Sequence, residues 1–260
     1  MRFPLLKEKI ESLSELKNGT SNKTYLINGK YVYRKKLVTD SFFYSPKNEA
    51  TILKAIEEKN IAPKQYAYDE TSGDKIEEYI PEARDFMPSK EDLHLLAKLL
   101  RKLHETPIEG IEPFNAKERY IAYKEKSQES LPEEDNIYDE VAPYFMGKQV
   151  LCHNDLWSGN ILIKDGEAYL IDYEFSATNP AIFDLASLLS ENKITDEELT
   201  IFFLKEYYEK DDVGEELKAI KRMKRFEDAL WFYWAKCRYL DTGKESFLSI
   251  MKDKKEAYLK

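Results

Sequence analysis

The chain has 260 residues, 42% of them hydrophobic, with 49 acidic side chains against 40 basic ones; this is a soluble globular composition, long enough for one large domain or two closely joined lobes. The acidic excess, with no basic run long enough to follow a phosphate backbone, excludes nucleic acid as the expected partner. No stretch reaches the ~18 apolar residues of a membrane span, the first residues lack a signal peptide's apolar centre, and Cys152 and Cys237 supply neither a disulfide framework nor zinc spacing. The expectation is a reduced, cytoplasmic protein with no membrane insertion.

From about Leu16 to Leu37 the pattern is β-like: KTYLING and KYVYRKKL alternate around Asn28-Gly29, a strong hairpin signal. Ser45-Pro46 then opens a helix as N-cap and first-turn proline. Its apolar positions are Ala50, Ile52, Leu53 and Ile56, and Glu49 lies on the face that Ile52, Leu53 and Ile56 share. An inward carboxylate needs a positive partner; a first-turn glutamate favouring the helix dipole is the alternative. A strand pair follows over Lys64–Tyr68 and Asp74–Ile80, and EEYIP ends it, because Pro81 cannot continue a central strand. That places a lobe boundary there, giving residues 1–80 and 81–260.

In the second lobe Ser89 caps a helix with Leu93, Leu96, Leu100 and Leu103 on one stripe. Thr106–Phe114 and Gln128–Asn136 read as loops. After Gly147 comes the hairpin ILIKDGEAYLID, with Asp165-Gly166 as its turn, and everything from Pro180 onward reads as helices. A small β-rich lobe followed by a larger helical one makes the fold class α+β.

The segment CHNDLWSGNILI enters that hairpin. Asn160 begins one strand and Asp172 ends the next, so the hairpin sets them side by side, with Asp155 on the preceding loop. Amide and carboxylate oxygens suit Mg²⁺, and a carboxylate free of metal can take a proton from a hydroxyl nucleophile. Base, metal-binding asparagine and metal-binding aspartate are the layout of phosphoryl transfer. An Asn-Asp pair entering a turn is often structural; the D-x4-N spacing, with an aspartate about 17 residues after Asp155 across a signalled hairpin, favours the working site.

CHNDLWSGNILI together with YLIDYEFSATNPAIFDLASLLSE resembles the choline/ethanolamine kinase family, and bacterial choline kinases most. That family belongs to the aminoglycoside-phosphotransferase branch of the protein-kinase-like folds. The likeness is specific over residues 151–191, looser over 16–80, and returns as W-x-x-W at Trp231 and Trp234. It implies a bilobal fold, ATP and Mg²⁺, Asp155 as catalytic base with His153 beside it in the motif, and Asn160 and Asp172 as metal ligands. Glu174 would lie near the metal or the substrate amine, and Asn179 and Asp184 would brace the site. Asn18-Gly19-Thr20-Ser21-Asn22 takes the place of the phosphate loop, with Thr20, Ser21 and Asn22 as nucleotide contacts. Backbone around Glu78, Tyr79 and Ile80 would meet adenine. Arg34, on the face of Val32, would pair with Glu49 and the phosphates; Lys36 shares that face and Lys35 points away.

The chain departs from protein kinases in lacking V-A-I-K, D-F-G and A-P-E, and Trp157 stands where relatives often carry a polar or small residue. For the substrate, Trp231 and Trp234 lie three apart on one helix and can share a face. Tryptophan faces attract quaternary ammonium groups; packing in the core is the alternative. With the family's W-x-x-W at this place, the expected substrate is choline or ethanolamine, and the runner-up is another small hydroxyl compound such as an aminoglycoside, thiamine or homoserine.

Overall fold

The computed structural model describes residues 8–16, 22–37 and 43–260. Asn18, Gly19, Thr20 and Ser21, named above for the phosphate loop, lie outside the described residues. Asn22 opens a strand.

Strands β1 (Leu13–Leu16), β2 (Asn22–Ile27), β3 (Tyr31–Lys36), β4 (Gln65–Tyr68) and β5 (Lys75–Glu78) form an antiparallel sheet in the order β1-β2-β3-β5-β4. The β2–β3 turn holds Asn28 and Gly29 at positive φ, the conformation for which these residues are suited. In β3, Arg34 and Lys36 are partly covered while Lys35 is exposed, as the alternation requires. Helix α1 (Pro46–Ile56) starts at Ser45, whose Oγ accepts the Asn48 N–H, and buries Asn48, Glu49, Ile52, Leu53 and Ile56.

The second part is mainly helical: α2 (Lys90–His104), α3 (Ala116–Ser127), the single turn α4 (Ala142–Phe145), α5 (Ala181–Glu191), α6 (Glu197–Tyr208), α7 (Gly214–Thr242) and α8 (Ser246–Tyr258). Ser89 caps α2 by accepting the Asp92 N–H, and the predicted leucine stripe is fully buried. Two small sheets carry the site. Strands β6 (Arg84–Asp85), β8 (Ile161–Lys164) and β9 (Glu167–Leu170) form one, and β7 (Val150–Cys152) pairs with β10 (Ala177–Asn179) in the other. Asp165 and Gly166, both at positive φ, close the two-residue turn between β8 and β9. The architecture is α+β.

The hydrophobic core is divided unevenly. Ile27, Tyr31, Tyr33 and Ile76 make a small cluster on the five-stranded sheet. Ile52, Leu53 and Ile56 of α1 instead join the large cluster built from the helices. Helix α1 therefore ties the sheet to the helical part, which fixes Glu49 close to the second half of the site. Among the described residues no helix is long and apolar enough to cross a membrane.

Candidate active site

The loop after β7 is laid down by backbone hydrogen bonds to buried side chains. Asp184, in the first turn of α5, accepts the N–H of His153 at 2.8 Å and of Asn154 at 2.7 Å. Ser187 Oγ accepts the Leu156 N–H, and Asn192 Nδ2 donates to the Leu156 carbonyl. Asn154 takes a positive φ, donates to the Phe175 carbonyl and accepts from Asn179 Nδ2. Asn179 and Asp184 thus brace the loop, and the positive-φ Asn154 sits directly before Asp155.

Asp155 projects from this loop. Asn160 closes the following 3-10 turn and donates Nδ2 to the Asp155 carboxylate (Oδ2, 2.8 Å) and to its carbonyl (3.0 Å). The Asn160 carbonyl accepts the Ile171 N–H, which sets Asn160 beside Asp172 at the far end of the hairpin, as the hairpin pattern predicts. Asp172 itself has φ 69°, a left-handed conformation uncommon outside glycine. Burial pushes the Asp155 carboxyl well above the usual carboxylate range, and the negative charges of Glu191, Asp172 and Glu174 add to this. For Asp172 burial also acts upward, but Arg34, Lys75 and Lys36 outweigh it and hold its pKa down, to about 2. Glu174 is raised, by burial and then by the charge of Asp172.

His153 does not stand beside Asp155 as a reacting group. It is completely buried, its Nε2 lies 3.0 Å from the Ile171 carbonyl, and its ring meets Tyr173 edge to face. Burial lowers its pKa, so the ring is neutral and orients the backbone just before Asp172. The expectation of a catalytic histidine is corrected to a positioning one.

The pairing expected between Arg34 and Glu49 is also corrected. Lys75 of β5 meets Glu49 at 2.9 Å, the two side chains being only 3% and 4% exposed, while Tyr44 and Tyr68 donate their hydroxyls to the other Glu49 oxygen. Arg34 instead reaches across to Asp172 (2.8 Å) and to Glu77 (3.4 Å), and Lys36 pairs with Glu174. The Nε and Nη1 donors of Arg34 are buried without a directed hydrogen bond. Alternation within DKIEEY, which puts Lys75 and Glu77 on one face, was the signal for the missing lysine.

In the hinge the N–H groups of Glu78 and Tyr79 donate to Lys64 and Lys30 carbonyls. Those two donors are therefore engaged within the chain, and adenine recognition through them is not what this geometry offers. Trp157 is 48% exposed and lies over Gly159, where a Cβ would come within 2.3 Å of the indole. Trp231 and Trp234 meet edge to face at 5.7 Å, and Phe175 touches both. They share a face, as the spacing predicts, but Trp231 is only 6% exposed and the rings pack against each other.

The donor set suits a small hard cation. With its Nδ2 bonded to Asp155, Asn160 keeps its amide oxygen free, and Asp172 is a carboxylate held ionised beside it. One amide oxygen and one or two carboxylates, the rest of the shell left to water and phosphate, is what Mg²⁺ takes.

A five-stranded antiparallel sheet joined through one helix to a helical body, with Asp155, Asn160 and Asp172 at the junction, defines a kinase-like fold. The chain belongs to the choline/ethanolamine kinase family, whose model matches residues 11–222. Over 93 residues it is 32% identical to protein LicA of Haemophilus influenzae, a match covering 34% of this chain and 34% of that one. The matched stretch thus spans about a third of that relative. Among solved structures, the choline/ethanolamine kinase family protein of Mesorhizobium loti aligns with a TM-score of 0.83 at 19% identity, over 99% of this chain and 90% of its own. A LicA structure in complex with AMP aligns with a TM-score of 0.74 at 21% identity, over 97% and 93%.

Proposed function

We propose that the chain is an ATP-dependent kinase that transfers the γ-phosphoryl group to the hydroxyl of choline or ethanolamine, in the cytoplasm. The observation that carries this reading is the Asp155–Asn160 contact beside Asp172, within a chain of this family. Asp155 takes the proton of the substrate hydroxyl as the new O–P bond forms. The bond from the γ-phosphorus to the β-phosphate oxygen breaks, and ADP leaves. A raised pKa makes Asp155 a better proton acceptor than an ordinary carboxylate. The Asn160 amide donor holds the reactive oxygen in place. Arg34 and Lys36, now paired with Asp172 and Glu174, are the cations on β3 that would turn to the phosphates. Asn160 and Asp172, with Glu174 near them, would hold Mg²⁺, which when bound neutralises phosphate charge.

We assign residues 1–80 to the nucleotide, including Thr20, Ser21 and Asn22, and 81–260 to catalysis and the amino alcohol, with Trp157, Trp231, Trp234 and Glu174 on the substrate side. A screen of ATP consumption against amino alcohols, sugars and aminoglycosides, with Mg²⁺ and with EDTA, tests the reading. Turnover of choline or ethanolamine that stops with EDTA is expected. Turnover of an aminoglycoside or a sugar alone, or turnover that survives EDTA, overturns it.

A further inference from the structure

Between α1, the segment from Glu112 to Arg119 and the turn after Asp172 lies a cavity of about 320 Å³. It borders the phosphoryl-transfer site at Glu174, but Asp155, Asn160 and Asp172 are not in its walls. Asn48 joins the three walls: its Nδ2 donates to the Ser176 carbonyl at 2.9 Å, and its Oδ1 accepts the Glu112 N–H at 2.8 Å. The space is thus built by contacts between the two lobes, and its size is that of a small-molecule site.

The charges that line this cavity divide into two pairs. Glu49 and Glu174 already have cations, Lys75 and Lys36. Arg119 and Glu112 form no ion pair, with each other or with any other of the described residues. Arg119 is only 5% exposed, and a buried charge with nothing to cancel it is costly. Its Nε donates to the Phe114 carbonyl at 2.5 Å and its Nη2 to the Phe43 carbonyl at 3.3 Å, neutral acceptors that leave the charge uncancelled. The Phe43 and Phe114 rings, with centroids 4.5 and 4.3 Å from the guanidinium carbon, hold it in place. Asn115, at the positive end of the α3 dipole and with no side-chain cap bond, lines the same space. Glu112 is exposed at the rim, where it accepts the Ser45 hydroxyl at 2.9 Å. One uncompensated cation and one uncompensated carboxylate therefore share a cavity without meeting. The chemistry that satisfies both is a small molecule carrying an anion and an ammonium group.

Phosphoryl transfer to an amino alcohol makes a molecule of that kind, a phosphomonoester at one end and an ammonium at the other. Resting on the amino-alcohol reading above, we propose that this cavity is a second binding site, outside the transfer site, for the phosphorylated amino alcohol. Its phosphate meets the Arg119 guanidinium, which suits phosphate oxygens, and its ammonium meets Glu112. Glu174 and Tyr173 are in the wall, so the bound product touches the turn that follows Asp172.

The test titrates the full chain, saturated with Mg²⁺ and a non-hydrolysable ATP analogue, with phosphorylcholine, glycerol phosphate and inorganic phosphate by calorimetry. The γ-phosphoryl group of the analogue takes the place that a product phosphate would need beside Asp155, so the heat that remains reports the second cavity. Wild type is expected to bind phosphorylcholine more tightly than either of the other two. Arg119→Gln should weaken phosphorylcholine about tenfold to hundredfold and leave the affinity for the analogue unchanged, and Arg119→Lys should recover part of the loss. Glu112→Gln, at an exposed position that does not endanger folding, should bind phosphorylcholine no better than glycerol phosphate. A thermal melt accompanies each variant, and Glu112→Gln decides alone if Arg119→Gln does not fold. Wild type that binds no phosphorylcholine beside the analogue, or binds inorganic phosphate as tightly, overturns the inference. So does unchanged affinity in folded Arg119→Gln, or a preference over glycerol phosphate that survives in Glu112→Gln. These titrations read no turnover, so a wild type that fails to phosphorylate amino alcohols removes the functional reading separately.

Discussion

At Asp155 reactivity and stability oppose each other. Its raised pKa means that the ionised form, the one able to act as base, is disfavoured by the fold. A carboxyl raised in the folded state contributes destabilisation at pH values above that raised pKa. Asp155→Asn removes the charge and keeps an oxygen for the Asn160 amide. The expected outcome is a turnover loss of roughly 10²–10⁴-fold together with a Tm gain of a few degrees, read by steady-state kinetics and a thermal melt. Wild-type turnover would remove Asp155 from its role. Lys75 is the contrasting case. Replacing it with methionine leaves Glu49 buried with its cation gone and Glu77 with Arg34 alone, which is expected to cost about 3–5 kcal/mol in a denaturant melt. Lys35→Met, at an exposed position of β3, is expected to change stability by no more than ~0.5 kcal/mol.

At the scale of elements, the working loop depends on α5 more than on the strands that flank it. Strands β7 and β10 contribute three residues each, whereas one carboxylate of α5 anchors two consecutive N–H groups and meets His104 Nε2 at 3.0 Å. His104 in turn reaches the Tyr207 hydroxyl at 2.7 Å, so α2 and α6 hold Asp184 from behind. Asp184→Asn replaces one acceptor oxygen with an NH₂ group facing donors. It is expected to cost about 1–3 kcal/mol in a denaturant melt and to lower kcat more than it changes the KM for ATP, because the displaced element is the loop of Asp155. An unaltered kcat in a folded variant would show that the loop keeps its place without this anchor.

For the whole molecule, the carboxyls of the site and Glu227 divide by the sign of their shifts, and their part of the pH dependence of stability follows from that division. Asp155, Glu174 and Glu227 are raised, in each case by burial first. The folded state therefore binds protons that the unfolded chain has already lost, and stability falls as pH rises through their folded values. Asp172 is lowered to about 2 by its cations, against burial. Its contribution is present above the unfolded value of 3.8 and lost as pH falls toward 2. The ligand-free protein is thus expected to melt at higher temperature near pH ~5.5 than near pH ~8, and to lose stability steeply below pH ~4. A Tm that climbs steadily from mildly acid to alkaline pH would contradict the raised group.

Local sequence was sufficient wherever one residue type suits one backbone geometry. Asn28-Gly29 and Asp165-Gly166 turn where their positive φ angles are needed, Ser45 and Ser89 cap α1 and α2, and the leucine stripe of α2 is buried. The nearness of Asn160 to Asp172 was legible for the same reason, since a two-residue turn sets the register of its strands. Strands β6, β7 and β10 left no such trace, being too short for alternation to show. The ion pairs were not legible either. Arg34, Lys36 and Lys75 are all cations on inward strand positions, and only the packing of α1 and the hairpin against the sheet decides that Lys75 meets Glu49 while Arg34 meets Asp172. Glu227 reads in the sequence as one more charged residue on a long helix; that it is buried with no donor is decided by α5, α7 and α8 closing around it. Turns and caps depend on neighbours along the chain, whereas charge partners depend on neighbours in space, and only the folded packing chooses those.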